Sequence, residues 1–201
     1  MEKNKKALDI LEIMCEMSSL SKMPRIGWVL AGVNNAESIS DHCFETALLA
    51  YFLSKNIDQE VDMGKILMMA LFHEVGETRL SDLPRRAKPY VKKFKKEGEK
   101  NISIDVLGDY AEDINTILDE FEEKKTLEAR LTEAAEELQI IFKSLIYAKE
   151  NNGDMSEYRQ DVAAYDSLGI EMAEAISKII GEKLNDYLGD KTYWEIGYKQ
   201  K

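Results

Sequence analysis

The chain has 201 residues, 44% hydrophobic and 32% charged, with three prolines and eleven glycines, a composition that fits one ordered, mostly helical globule and excludes a disordered or fibrous chain. The formal net charge of −11 opposes binding to a polyphosphate backbone, so duplex nucleic acid is not expected as a partner, whereas a small nucleotide neutralised by a metal ion and a local arginine is compatible with it. Cys15 and Cys43, with no CxxC pair, predict free thiols in a reducing compartment, and no signal peptide or apolar run of ~18 residues is seen, so a cytoplasmic protein without a membrane span is expected.

Ala7, Leu8, Leu11, Met14 and Cys15 follow the helical rhythm and predict an amphipathic helix over 7–17, closed by Ser18, Ser19 and Ser21. A loop is expected over 23–38, where Pro24, Gly27, Gly32, Asn34 and Asn35 resist regular helix. Ser38 or Ser40 can cap the next helix, which carries Phe44, Ala47, Leu48, Tyr51 and Phe52 on one face and sets His42 in its first turn. Asp62 caps another, whose centre from Ile66 to Phe72 is almost wholly apolar, so that helix is expected to be central and to deliver His73 to the interior. A break runs from Gly76 to Pro84, where proline suits the first position of a short helix. Helical periodicity then covers 90–107, 111–123, 127–150 and 155–188, with charge-rich solvated tracts at 92–100 and 120–125. Strand signals are weak and no glycine-rich phosphate loop follows one, so the expected fold is an all-α helical bundle formed by one domain over 1–201.

The chain has only two histidines, and both lie beside carboxylates at the ends of apolar segments: Ser38-Ile39-Ser40-Asp41-His42 and His73-Glu74-Val75-Gly76-Glu77. Imidazole is well suited to bind a transition metal at neutral pH. If the helix continued through Gly76, the carboxylate of Glu77 would share a face with His73, a metal-and-base arrangement. A zinc-protease reading of the second segment fails because Glu77 stands where the last histidine of HExxH is required, and no GxSxG elbow supports a serine nucleophile.

Four segments in order, Pro24-Arg25-Ile26-Gly27-Trp28, Glu37-Ser38-Ile39-Ser40-Asp41-His42, His73-Glu74-Val75-Gly76-Glu77 and Ser81-Asp82-Leu83-Pro84, resemble the HD-domain phosphohydrolases, most nearly the 5′-deoxynucleotidase subgroup, over about residues 7–150. The resemblance implies an HD-domain helical bundle, with the helices of 155–201 as an extension of the same domain. It also implies one divalent transition metal (Mn, Co, Zn, Ni or Fe) held by His42, His73, Glu74 and Glu136. Glu77 would act on the attacking water, Arg25 and Trp28 would form the phosphate- and ligand-contacting loop, and Asp82 would lie near the sugar. The expected substrate is a small nucleotide, a nucleoside 5′-monophosphate and foremost a deoxyribonucleotide, and the expected assembly is a homodimer. Both Glu74 and Glu136 occupy positions where that family has aspartate. Glutamate reaches about an ångström further, against a tolerance of about ±0.2 Å in metal–ligand distances. Two outcomes stay open on the sequence: an active phosphohydrolase, or a domain that binds a nucleotide or a protein partner without turnover.

Overall fold

Side-chain caps set where the principal helices begin. In the computed structural model, which describes residues 2–189 apart from the side chains of Lys88 and residues 92–96, Ser38 and not Ser40 caps the third helix. Its hydroxyl accepts from the Asp41 N–H at 3.1 Å while the Asp41 carboxylate accepts from the Ser38 N–H at 2.9 Å, a reciprocal pair that satisfies two otherwise orphaned donors. Asp62 and Thr126 cap two more helices, each side chain accepting a backbone N–H, from Lys65 and Ala129 respectively.

The described residues form α1 (Glu2–Met17), α2 (Ile26–Leu30), α3 (Ile39–Ser54), α4 (Met63–Phe72), α5 (Glu77–Leu80), α6 (Lys88–Leu107), α7 (Ala111–Glu123), α8 (Leu127–Lys149), α9 (Tyr158–Ala164) and α10 (Glu171–Leu188), with no strand among them. The all-α expectation is met. Helix α8 is the axis: α3, α4 and α10 pack on it through Ala50, Leu53, Ile66, Leu131, Ala134, Ala135, Leu138 and Ile180. Facing alanines let the backbones approach closely, and burying the branched side chains between them supplies the driving force. A second cluster, built on Trp28, Tyr147, Met155, Tyr158 and Leu184, closes the far end of α8.

Four expectations change. The loop over 23–38 contains a helical turn, α2, and its two ends are tied together by Arg25 N–H to Glu37 O and Ile39 N–H to Met23 O. The segment 155–188 is two helices, α9 and α10, parted by a turn in which Gly169 takes φ +80°. No side chain of α1 is fully buried. On α3 most of the expected apolar face turns outward: Phe44 and Phe52 are each 59% exposed and Leu48 and Tyr51 are also exposed; of that face only Ala47 is buried, and Ile39, His42, Cys43, Thr46, Ala50 and Leu53 face inward. Ala50 and Leu53 pack in the cluster on α8, while Ile39 and Cys43 pack against Leu20 on the other side.

Among the described residues no helix is long and apolar enough to cross a membrane. Of the C-terminal aromatics, Tyr187 is exposed on α10, and Tyr193, Trp194 and Tyr198 lie outside the described residues. The side chains of the basic cluster at 92–96 lie outside them too.

Candidate metal centre

Three elements meet at the histidines. His42 sits fully buried in the first turn of α3, His73 is the residue that caps the C-terminus of α4, and Glu74 follows in the turn beyond it. Helix α4 stops at Phe72, so Glu77 is not carried by a continuous helix; the turns Val75 N–H to Phe72 O and Glu77 N–H to Glu74 O lead instead into α5, which Glu77 starts. Glu136 comes from α8, and one donor atom from each of His42, His73, Glu74 and Glu136 lies within 4.8 Å of every other.

The donor set fits a cation on chemical grounds. The two Nε2 atoms are 3.2 Å apart, and each lies 3.9 Å from Glu74 Oε1. Metal–donor distances of about 2.0–2.2 Å place donors around one ion roughly 3–4 Å from each other. His73 Nδ1 lies 3.0 Å from the Ala70 carbonyl, which can only accept, so this nitrogen carries the proton. His42 Nδ1 lies 2.7 Å from the Gln139 side-chain oxygen and is protonated likewise. Both rings therefore turn an Nε2 lone pair into the same space, beside two carboxylates, a donor set that a bound cation would satisfy. Burial, with the charge of Arg25 adding, holds His42 well below the usual histidine range, so that it stays neutral and able to ligate. Withdrawal from solvent raises Glu136, with Glu74 and Glu133 adding.

Arg25 reaches this group from α2's first residue boundary and donates from Nη1 to Glu74 Oε1 at 2.6 Å. Although its burial disfavours the charge, the fields of Glu74, Asp82, Glu77 and Glu136 raise its pKa further. Asp82 holds this loop from below by accepting the Ile26 N–H at 2.5 Å. Glu77 is 3% exposed, close enough to act on Arg25 electrostatically. Trp28 is not brought to the cluster. It is 2% exposed, stacked on Tyr158 at 4.5 Å and edge-on to Tyr147 at 5.2 Å, and its indole donates to Glu37 Oε1 at 2.7 Å. A ligand-contacting Trp28 is thus replaced by a core residue, because Glu37 and the two tyrosines satisfy both its polar edge and its faces.

Sequence reasoning missed Gln139, Glu37, Glu45 and Lys143, which lie behind His42. A signal was present: Gln139, Lys143 and Tyr147 recur every four residues from a point one turn past Glu136, a polar ridge along an otherwise buried face of α8.

A family model described as HD domain matches residues 17–179. The 5′-deoxynucleotidase HDDC2 of Dictyostelium discoideum is 32% identical over 149 residues, covering 70% of this chain and 78% of that protein. The 5′-deoxynucleotidase hdd1 of Schizosaccharomyces pombe is 26% identical over 162 residues, covering 76% and 80% respectively. The crystal structure of the PH0347 protein from Pyrococcus horikoshii OT3 superposes with a TM-score of 0.74 at 26% identity, covering 86% of this chain and 99% of that one.

Proposed function

Because the chain belongs to the HD-domain family, we propose that it is a metal-dependent phosphohydrolase that releases phosphate from nucleoside 5′-monophosphates, deoxyribonucleotides foremost. The observation that carries the reading is the pair of Nε2 lone pairs 3.2 Å apart, faced by Glu74 and grouped with Glu136. His42, His73, Glu74 and Glu136 hold one divalent transition metal, with Mn, Co, Zn, Ni and Fe all suited to this donor set. When bound, such an ion acts as a Lewis acid that offsets phosphate charge and makes water more acidic.

The remaining steps belong to the chain. Glu77 accepts the proton of the water whose oxygen attacks phosphorus, while the bond from phosphorus to the 5′-oxygen breaks and that oxygen takes up a proton, from Glu77 or from solvent, to leave as the nucleoside hydroxyl. Arg25 turns its planar fork to the phosphate oxygens, a charge-assisted contact that Asp82 supports by fixing the Ile26 backbone beside it and, from the rim, by facing the sugar. Trp28 contributes as the core anchor of the same loop. The names of the Dictyostelium and fission-yeast relatives support a deoxynucleotide substrate. Convergence of Glu74 and Glu136 on both histidines supports turnover over nucleotide binding alone, since the longer side chains still reach one point. Free thiols at Cys15 and Cys43 support a cytoplasmic location, and the exposed face of α3 supports a homodimer.

The test is phosphate release by protein stripped of metal and reloaded with Mn²⁺ or Co²⁺, on deoxyribonucleoside and ribonucleoside 5′-monophosphates. Release is expected with at least one ion and should fall by about 10²-fold or more in Glu77→Gln, the scale of general-base catalysis. Nucleotide binding without release under any ion would overturn the enzymatic reading.

A further inference from the structure

Behind His42 lies a buried polar network whose connections leave only one arrangement of protons. Gln139 is 0% exposed. Its Nε2 end lies 2.8 Å from Glu37 Oε2 and 2.9 Å from Glu45 Oε2, and its Oε1 end lies 2.7 Å from His42 Nδ1. The two ends of an amide are told apart by their partners. Glu37 receives the Trp28 indole on one oxygen, and the Gln139 amide and the Lys143 ammonium, the latter at 3.2 Å, on the other. With donors on both oxygens it is a carboxylate, able only to accept. Glu45 receives Lys143 at 2.6 Å and is fixed likewise.

Two acceptors at one end of the Gln139 amide require its NH₂ there. Its oxygen then faces His42 Nδ1, which must donate, and a neutral imidazole has one proton to give, so Nε2 is bare. The reversed amide would press an oxygen against two carboxylates. It would also move the His42 proton to Nε2, aimed at the His73 Nε2 lone pair 3.2 Å away. In that tautomer the two histidines bond each other and neither pair of electrons is shared with an ion.

We propose that Gln139, pinned by Glu37 and Glu45 and balanced by Lys143, is a positioning residue that selects the Nδ1–H tautomer of His42 and keeps Nε2 open to the metal centre. This rests on the metal reading above. Partners of this kind typically change metal affinity 10- to 100-fold.

The experiment uses the full chain and two readouts. With only two histidines in the sequence, ¹H–¹⁵N imidazole spectra of metal-free protein resolve each ring, and His42 is expected with its proton on Nδ1. Titration calorimetry with Co²⁺ is expected to show affinity lowered about 10- to 100-fold in Gln139→Leu, whose His42 spectrum becomes a mixture of tautomers. The triple variant Gln139→Glu, Glu37→Gln, Glu45→Gln reverses each bond of the network: the new carboxylate accepts from His42 Nδ1–H and from both new amides, whose oxygens stay towards Trp28 and Lys143. It should regain Co²⁺ affinity to within about threefold of the native chain, a rescue that a merely space-filling glutamine would not show. Should Gln139→Leu fail to fold, the native spectrum and the triple variant decide, and a folded triple variant that does not regain Co²⁺ affinity counts against the proposal. A native His42 protonated at Nε2, or a folded Gln139→Leu with native Co²⁺ affinity, overturns the proposal. A native chain that shows the Nδ1–H tautomer but takes up no Co²⁺ upholds the tautomer assignment and sinks the metal reading instead.

Discussion

Ser81 holds φ 59° and ψ 170°, a region that glycine enters freely and a residue with a Cβ enters at a cost of order 1–3 kcal/mol. It stands immediately before Asp82, whose carboxylate seats the Ile26 N–H and with it the Arg25 loop. The strain is held in place by that bond and by the Ser81 N–H donating to Glu77 O at 3.0 Å. Ser81→Gly is therefore expected to stabilise the protein by about 1 kcal/mol after allowing for the greater freedom of the unfolded chain. A urea midpoint that falls would contradict this. At this scale the sequence was readable where a residue type is scarce and its chemistry narrow: His42 and His73 converge with Glu74 and Glu136. It was unreadable where orientation is decided by distant groups. Trp28 is turned inward by Glu37, Tyr147 and Tyr158, and nothing in its own neighbourhood announces those partners.

The break between α4 and α5 depends on a close approach. A Cβ built on Gly76 would meet Glu99 of α6 at 2.5 Å from Cγ, 2.9 Å from Cβ and 3.2 Å from Cα. Gly76 has ordinary helical dihedrals, so its conformational freedom is not what is used here; the space is. Gly76→Ala must push α6 away or twist the turn that carries Glu74 and Glu77, with an expected loss of about 1–3 kcal/mol. Thermal denaturation measures it, and an unchanged midpoint would show that α6 yields freely. Helix starts were legible because capping is local, as Ser38 and Asp62 show. The inward face of α3 was not, because hydrophobic size suggested Phe44 and Phe52 whereas contacts with α8 and with Leu20 selected Ala50, Leu53 and Cys43. The turns at α2 and between α9 and α10 escaped for the opposite reason: each is too short for periodicity to register.

For the molecule as a whole, Phe44, Leu48, Tyr51 and Phe52 leave an apolar strip open on α3. A second copy covering it predicts dimers in sedimentation of the native chain and monomers for Phe44→Glu, Phe52→Glu with unchanged helicity. Native monomers would refute this assembly. The metal centre joins α3, the end of α4 and α8, so only the folded chain can gather its donors, and a saturating ion must stabilise it. At a free Mn²⁺ concentration of about 100 times the dissociation constant the gain is about 2.7 kcal/mol, or some 5–10 °C in melting temperature. A melting temperature indifferent to Mn²⁺ and Co²⁺ would remove the site from the folded structure. Fold class was legible throughout because all-helical periodicity is a bulk property of the sequence, less dependent on any one contact. His42 and its partner Gln139 lie 97 residues apart along the chain. During synthesis both histidines therefore emerge long before α8, the helix that brings Glu136 and fixes the His42 tautomer. The nascent chain would pass through the ribosome exit with its imidazoles unorganised, and ion selection would be deferred until the last structural member docks. The metal would then be chosen by the finished protein in its own compartment, not captured by the first ion a growing chain encounters.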